Sequence, residues 1–190
     1  MNQAQRKQRD AEAEEARITR EKQTGNREDI ALLSPRGCIG VELGVAAGVL
    51  TKRILDLKHF SEFHAVDKWD DHHSIHEYHR VIERLADYEE LTIWHVEVKE
   101  WLKTITDGSL GFVYIDCYAH TGQEDGAILE AAWPKLADGG LFSGDDYDEC
   151  WPTYGVVQQF AKSVGRDVSV WDDFPHLSPY DNHDSWYFHK

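Results

Sequence analysis

The sequence has few cysteines and no long apolar run. Cys38, Cys117 and Cys150 are odd in number and lack C-x-x-C spacing. We therefore expect neither a disulfide framework nor a zinc ribbon, and we expect a reducing, cytoplasmic compartment. No apolar stretch approaches the ~20 residues that a membrane-spanning helix needs, so we expect no membrane partner. The first thirty residues are charged and polar, which predicts no secretory signal.

Basic side chains are also in deficit. The chain has 20 Lys and Arg against 35 Asp and Glu, a formal net charge of −15. Nucleic-acid binding depends on basic side chains that neutralise phosphates, so we expect no nucleic-acid partner. Small molecules, cations or metals suit an acidic protein better. The 190 residues, 41% of them hydrophobic, are enough for one domain with a substantial core.

The N-terminal part differs from the rest of the chain. Residues 3–24 are rich in helix formers and have almost no large apolar side chain, which predicts an exposed helix or a partly disordered arm. A lid or a dimer contact is the alternative role for this segment. We divide the chain into a charged helical arm, residues 1–36, and a domain, residues 37–190.

From Cys38 onward, short apolar runs alternate with segments of helical spacing. The segments are CIGVELGV, AGVLTKRILDL, EFHAVD, SIHEYHRVIERLADY, LTIWHVE, VKEWLKTI, LGFVYIDC, EDGAILEAAWPKLAD, GGLFSGDD, YGVVQQFAKSV, DVSVWDD and SWYFHK. This alternation predicts βαβ units, a mostly parallel sheet and helices on both of its faces. Continuous apolar runs such as GFVYIDC are typical of strands that are covered on both sides. The predicted fold is α/β, a doubly wound Rossmann-like sheet.

The first strand-to-helix turn, VELGVAAG, indicates the kind of ligand. It is neither G-x-G-x-x-G nor a phosphate-binding loop with Gly-Lys-Ser/Thr. Gly44 and Gly48 allow the backbone to approach a ligand closely. Glu42 would place a negative charge where a pyrophosphate has to lie, which argues against a dinucleotide oxidoreductase. A positively charged cofactor would instead be favoured, and S-adenosylmethionine is one.

Acidic residues follow the next strands as such a cofactor requires. Asp67 ends the second strand and could bind the ribose hydroxyls, and Glu97 ends the third, where the adenine amino group or the ribose edge could be met. Trp69 is close enough to Asp67 to border the cofactor or the acceptor, with simple packing as the alternative. The predicted cofactor-binding residues are Glu42, Gly44, Val45, Gly48, Asp67, Lys68, Trp69, Glu97 and Asp116.

These motifs resemble the class I S-adenosylmethionine-dependent methyltransferases. VELGVAAG looks like their E-x-G-x-x-x-G motif, and AVD looks like their second-strand acidic motif. The segment VYIDCYAHTGQEDGAILEAAWPKLADGGLFSGDDY is similar to a subgroup that includes metal-dependent small-molecule O-methyltransferases, among them sugar methyltransferases. The resemblance runs from about Cys38 to Tyr147, and SWYFHK looks like the last antiparallel strand of the family. It implies a seven-stranded sheet in the order 3-2-1-4-5-7-6.

The resemblance also implies a metal site and a base. Asp116, Asp145 and Asp146 would bind a divalent ion, most simply Mg²⁺, since crowded carboxylates need a cation and oxygen ligands favour hard ions. Asp116 and His120 would be the catalytic residues, with His120 as the general base. His120 follows Asp116 by four residues, whereas the family's segment usually has three. A solvated acidic turn and a hydrogen-bonded loop histidine are the alternatives.

A cluster of histidines follows the second strand. His72, His73, His76 and His79 could form a zinc or nickel site, or they could line a solvated helix face at the mouth of the substrate pocket. The function we predict is methyl transfer from S-adenosylmethionine to a hydroxyl of a small molecule, assisted by a divalent metal. A second subunit of a homo-oligomer, or the N-terminal arm, could complete the acceptor site. A non-catalytic S-adenosylmethionine-binding or partner-binding module is the alternative.

Overall fold

Strands and helices alternate along the chain in a computed structural model that describes residues 23–70, 73–117, 126–173 and 184–190. The strands are β1 (Gln23–Gly25), β2 (Ile39–Leu43), β3 (Glu62–Asp67), β4 (Leu91–His95), β5 (Leu110–Ile115), β6 (Leu136–Gly144), β7 (Ser169–Asp173) and β8 (Ser185–His189). The α-helices are α1 (Val49–Asp56), α2 (Ile75–Arg84), α3 (Val98–Thr104), α4 (Ala127–Ala132) and α5 (Pro152–Ser163), and 3-10 helices span Arg27–Leu33 and Trp133–Lys135. The alternation predicted from Cys38 onward is confirmed.

All strands belong to one sheet in the order β1-β7-β8-β6-β5-β2-β3-β4. When β2 is counted as the first strand of the predicted sheet, β2 to β8 follow the predicted order 3-2-1-4-5-7-6. The pairs are parallel except where β8 runs antiparallel to β6 and β7. The Rossmann-like methyltransferase topology is therefore confirmed.

An eighth strand at the edge of the sheet was not predicted. Gln23, Thr24 and Gly25 pair in parallel with residues 171–173 of β7. The helix expected over residues 3–24 lies outside the described residues except at its end, and there residues 23 and 24 are in β1. The 3-10 helix that follows buries Ile30 and Ala31 completely. The division of the chain at residue 36 stays a prediction, but residues 23–33 pack on the domain.

The two faces of the sheet have separate cores, because successive side chains of a strand point to opposite faces. On one face, Val113 and Ile115 of β5 pack in a cluster that includes Trp101 of α3 and Leu129 of α4. On the other face, Phe112 and Tyr114 pack in a second cluster. That cluster also contains Ile30, Ile54 and Leu55 from the N-terminal 3-10 helix and α1. All six residues of β5 are buried, as its continuous apolar run predicts.

The parallel strands β2, β3, β5 and β6 end at one edge of the sheet. The register pairs Leu43 of β2 with Val66 of β3 and with Ile115 of β5. Ile115 in turn pairs with Gly144 of β6. The residues that follow these strands therefore meet at the same edge, where ligands bind in open α/β sheets. Among the helices that the structure describes, none has the length and apolarity to cross a bilayer.

Candidate active site

The turn between β2 and α1 can be built only with glycine at its first position. Gly44 has a φ of +93°, and a Cβ there would lie 2.2 Å from the carbonyl oxygen of Asp116. No real Cβ makes so close a contact with backbone. Gly48, with a φ of +70°, begins α1 from a left-handed conformation. The glycine spacing singled out in the sequence thus brings the turn into direct contact with the end of β5.

Asp67 holds this turn in place. Its Oδ2 accepts hydrogen bonds from the amides of Val45 (2.8 Å) and Ala46 (2.9 Å). Its Oδ1 accepts from the amide of Trp69 (2.9 Å). Both carboxylate oxygens therefore bind backbone amides in this structure, and the side chain is buried. The predicted contact between Asp67 and the ribose stays a prediction.

Trp69 packs beside the turn and is hydrogen-bonded to it. It has a φ of +42°, and its indole Nε1 donates to the carbonyl of Ala46 at 2.9 Å. Its ring packs on Tyr78 and His95, with centroid distances of 4.9 and 5.8 Å. The preceding Lys68 forms an ion pair with Asp70 at 3.4 Å. Trp69 is thus a packed and hydrogen-bonded support of the turn, whether or not it also borders a ligand.

Glu42 lies on the interior strand β2, and its burial changes the pKa that the sequence argument assumed. It is 1% exposed and accepts a hydrogen bond from the Thr51 hydroxyl on α1. Burial raises the pKa of Glu42 to about 8 against the effect of that hydrogen bond, and the Asp116 carboxylate adds to the rise. The raised pKa means that the carboxyl of Glu42 carries less negative charge near neutral pH than a carboxyl with an ordinary pKa would. Our argument that this charge repels a pyrophosphate assumed an ordinary pKa, and it stays a prediction.

Three carboxylates meet where the sequence predicted them to meet. Asp116 follows β5, Asp145 and Asp146 follow β6, and one oxygen from each lies within 4.8 Å of the other two. The Asp145 amide continues the ladder by donating to the Ile115 carbonyl at 3.1 Å. Asp146 then turns with a φ of +57°. Oδ1 of Asp145 is buried and, among the described residues, has no hydrogen-bond partner.

An arginine from the N-terminal segment reaches this carboxylate cluster, and sequence reasoning did not single it out. Nη2 of Arg27 lies 3.1 Å from Oδ2 of Asp116 and also contacts Oδ2 of Asp145. Nε of Arg27 donates to the Tyr114 hydroxyl at 2.7 Å. Crowded carboxylates need a cation, so the sequence did indicate that some positive charge lies near this cluster. Nothing in the local sequence marked Arg27 as that cation.

Glu97 acts as a helix cap in this structure. It is the N-cap residue of α3, and its Oε2 accepts from the Glu100 amide at 3.1 Å. An acidic side chain is favourable there because it meets unpaired amides and the positive end of the helix. The predicted contact with adenine or ribose stays a prediction. His120 lies outside the described residues, so its role as a base stays a prediction too.

The histidine cluster shows no metal geometry in the part of the chain that the structure describes. His73 contacts Glu77 one turn later at 3.1 Å, and His76 and His79 are exposed on α2. His72 lies outside the described residues. Within the described ranges, the carboxylates of Asp116, Asp145 and Asp146 form the one group of three or more potential ligands close enough to share an ion.

The strand order, the glycine turn and the acidic residues at the strand ends define a Rossmann-like methyltransferase fold. A family model described as a methyltransferase domain matches residues 39–147, more than half of the chain. The chain therefore belongs to this family of methyltransferase domains, which use S-adenosylmethionine. No protein with a curated description matches it.

Solved structures with the same fold are distant in sequence. Spermidine synthase from Thermotoga maritima is 14% identical with a TM-score of 0.66, over 87% of this chain and 56% of that chain. A candidate methyltransferase from Streptococcus mutans, solved with S-adenosylhomocysteine, is 13% identical with a TM-score of 0.60, over 86% and 94%. An rRNA methylase from Streptococcus thermophilus is 14% identical with a TM-score of 0.57, over 86% and 93%. The chain thus spans little more than half the length of the spermidine synthase.

Proposed function

We propose that this protein transfers the methyl group of S-adenosylmethionine to a hydroxyl of a small molecule. The observation that carries the proposal is the closeness of two features at one edge of the sheet. The glycine turn held by Asp67 can approach a cofactor, and it abuts the backbone of Asp116, whose side chain belongs to the carboxylate cluster. A cofactor in the turn and an acceptor at the carboxylates would be neighbours. The net charge of −15 favours a small acceptor over a nucleic acid.

The carboxylate cluster fits a divalent cation, which we propose as the second component of the site. Asp116, Asp145 and Asp146 would hold it, and their oxygens are the ligand type that Mg²⁺ and similar hard ions prefer. Oδ1 of Asp145 supports this fit, because within the described ranges it is a buried acceptor without a donor, which is costly. When bound, the ion would supply positive charge that lowers the pKa of the acceptor hydroxyl.

The chain's own residues would position the reactants. Methyl transfer is a direct displacement at a carbon that the sulfonium already activates, so the main requirements are alignment and removal of one proton. Asp67 and Trp69 fix the turn on which the cofactor would lie. Asp116 abuts that turn through its carbonyl, and its side chain would face the acceptor. His120 is our candidate for the group that takes the proton.

The test is methyl transfer to a panel of small hydroxylated acceptors, including sugars and catechols, with Mg²⁺ present. We expect S-adenosylhomocysteine to form with at least one acceptor, and we expect turnover to fall at least about a hundredfold in Asp116→Asn. Asp138→Asn changes an exposed carboxylate elsewhere on β6 and should leave turnover unchanged. If both variants retain turnover, the carboxylate cluster has no part in the reaction.

A non-catalytic S-adenosylmethionine-binding module is the second candidate. The observation that favours it is the Arg27 guanidinium, which already neutralises part of the carboxylate cluster. In that case S-adenosylhomocysteine would bind, no acceptor would be methylated, and Asp145→Asn would not change binding.

A further inference from the structure

The N-terminal segment is fixed to the sheet directly next to Arg27. Strand β1 pairs with β7, and the Trp171 indole donates to the Asn26 carbonyl at 3.2 Å. Strand β1 lies very close to β7 here, since a Cβ on Gly25 would lie 2.8 Å from the Trp171 ring. Arg27 begins the next turn of chain, so its position follows from this attachment. Its side chain is only 17% exposed.

Arg27 contacts two of the carboxylates that a divalent cation would need. Nη2 is within ion-pair distance of one oxygen of Asp116 and one of Asp145. The hydrogen bond from Nε to the Tyr114 hydroxyl fixes the plane of the guanidinium. A guanidinium has donors in a rigid fork and stays charged at all working pH values, so it is a lasting counter-cation.

We propose that Arg27 is a resident counter-cation that competes with a divalent ion for Asp116 and Asp145. The inference rests on the carboxylate cluster of the proposed function. Arg27 contacts Oδ2 of both carboxylates, so an ion held by the remaining oxygens would lie within a few ångströms of the guanidinium, where the two positive charges repel. An ion bound by Asp116, Asp145 and Asp146 is therefore held more weakly while the guanidinium stays in place. The N-terminal segment thereby sets the metal affinity of the site.

The test is calorimetric titration of Mn²⁺ into the full chain and three variants. Arg27→Gln removes the competing charge and should lower the Kd for Mn²⁺ by about tenfold or more. Arg27→Lys keeps a charge but loses the fork, so it should give a smaller decrease in Kd. Arg53→Gln is the matched control, since Arg53 pairs at 3.8 Å with Glu28 of the same segment and does not contact the cluster. It should bind Mn²⁺ as the unmodified chain does.

An unchanged or weaker Mn²⁺ affinity in Arg27→Gln would overturn the proposal, and so would the absence of Mn²⁺ binding from every variant. If Arg27→Gln fails to fold, the comparison of Arg27→Lys with Arg53→Gln decides in the same way. S-adenosylhomocysteine titrated into the same samples tests the proposed function separately. Its failure to bind would remove the cofactor assignment, whereas the Mn²⁺ series alone decides the competition with Arg27.

Discussion

Replacement of Glu42 by glutamine should make the protein more stable relative to the unmodified chain as the pH rises. Burial raises the pKa of Glu42 from 4.5 to about 8. Between these values the folded protein holds a proton that the unfolded chain has released, so the free energy of unfolding falls with increasing pH. At about 1.4 kcal/mol per pKa unit, the full loss is about 5 kcal/mol, of which about 3 kcal/mol falls between pH 5 and pH 8. The amide side chain of the variant cannot ionise and escapes this loss.

Urea unfolding of both proteins at pH 5, 6, 7 and 8 measures this difference. The free energy of unfolding of Glu42→Gln, minus that of the unmodified chain, should rise by about 3 kcal/mol over the series. A glutamine can still accept the hydrogen bond of Thr51, so that contact need not change. Glu83→Gln, at an exposed position of α2, is the matched control. If the difference for Glu42→Gln rises no more with pH than the difference for this control, the argument that burial raises the pKa of Glu42 is refuted.

Three further substitutions test the construction of the turn. Gly44→Ala should lower the free energy of unfolding, measured with urea, by about 3 kcal/mol, because its Cβ would meet the backbone of Asp116. Gly37→Ala has a similar φ of +74° with nothing within 4 Å of its Cβ, and it should lower the free energy of unfolding by about 1 kcal/mol. Equal losses in the two variants would contradict the close approach of Gly44 to that backbone. Asp67→Asn should lower the free energy of unfolding by about 2 kcal/mol in the absence of any ligand, whereas Asp70→Asn should lower it little. If Asp67→Asn keeps its stability and only binds S-adenosylhomocysteine more weakly, the carboxylate serves the ligand and not the turn. Trp69→Phe should lose about 1 kcal/mol through its missing indole donor, and unchanged stability would mean that this hydrogen bond is not needed.

The fold could be predicted because its signals are local. The continuous apolar run of β5 and the periodic helices between strands specify a parallel sheet whatever the tertiary details. The strand order came from the family resemblance and not from periodicity. The carboxylate cluster could be predicted through the same resemblance, because that strand order makes the strands before Asp116 and Asp145 neighbours, and the carboxyl ends of neighbouring parallel strands must meet.

The remaining features depend on contacts that a local pattern does not contain. Strand β1 has three residues, Gln, Thr and Gly, which are too few and too polar to show any period. Arg27 meets Asp116 across 89 residues of chain. Asp67 was recognised as an acidic strand end, but the sequence could not show that backbone amides take both of its oxygens. Glu42 was assumed to have an ordinary pKa, and only its burial in the folded protein raises that pKa.

The central claim is that the turn from Gly44 to Gly48 binds S-adenosylmethionine, and calorimetric titration of S-adenosylhomocysteine into the full chain tests it most directly. We expect one site per chain with a Kd in the micromolar range, which corresponds to a binding free energy of about −8 kcal/mol. Gly44→Ala should abolish this binding and Gly37→Ala should retain it. The absence of S-adenosylhomocysteine binding by the unmodified, folded chain would contradict the assignment of the cofactor and the function built on it.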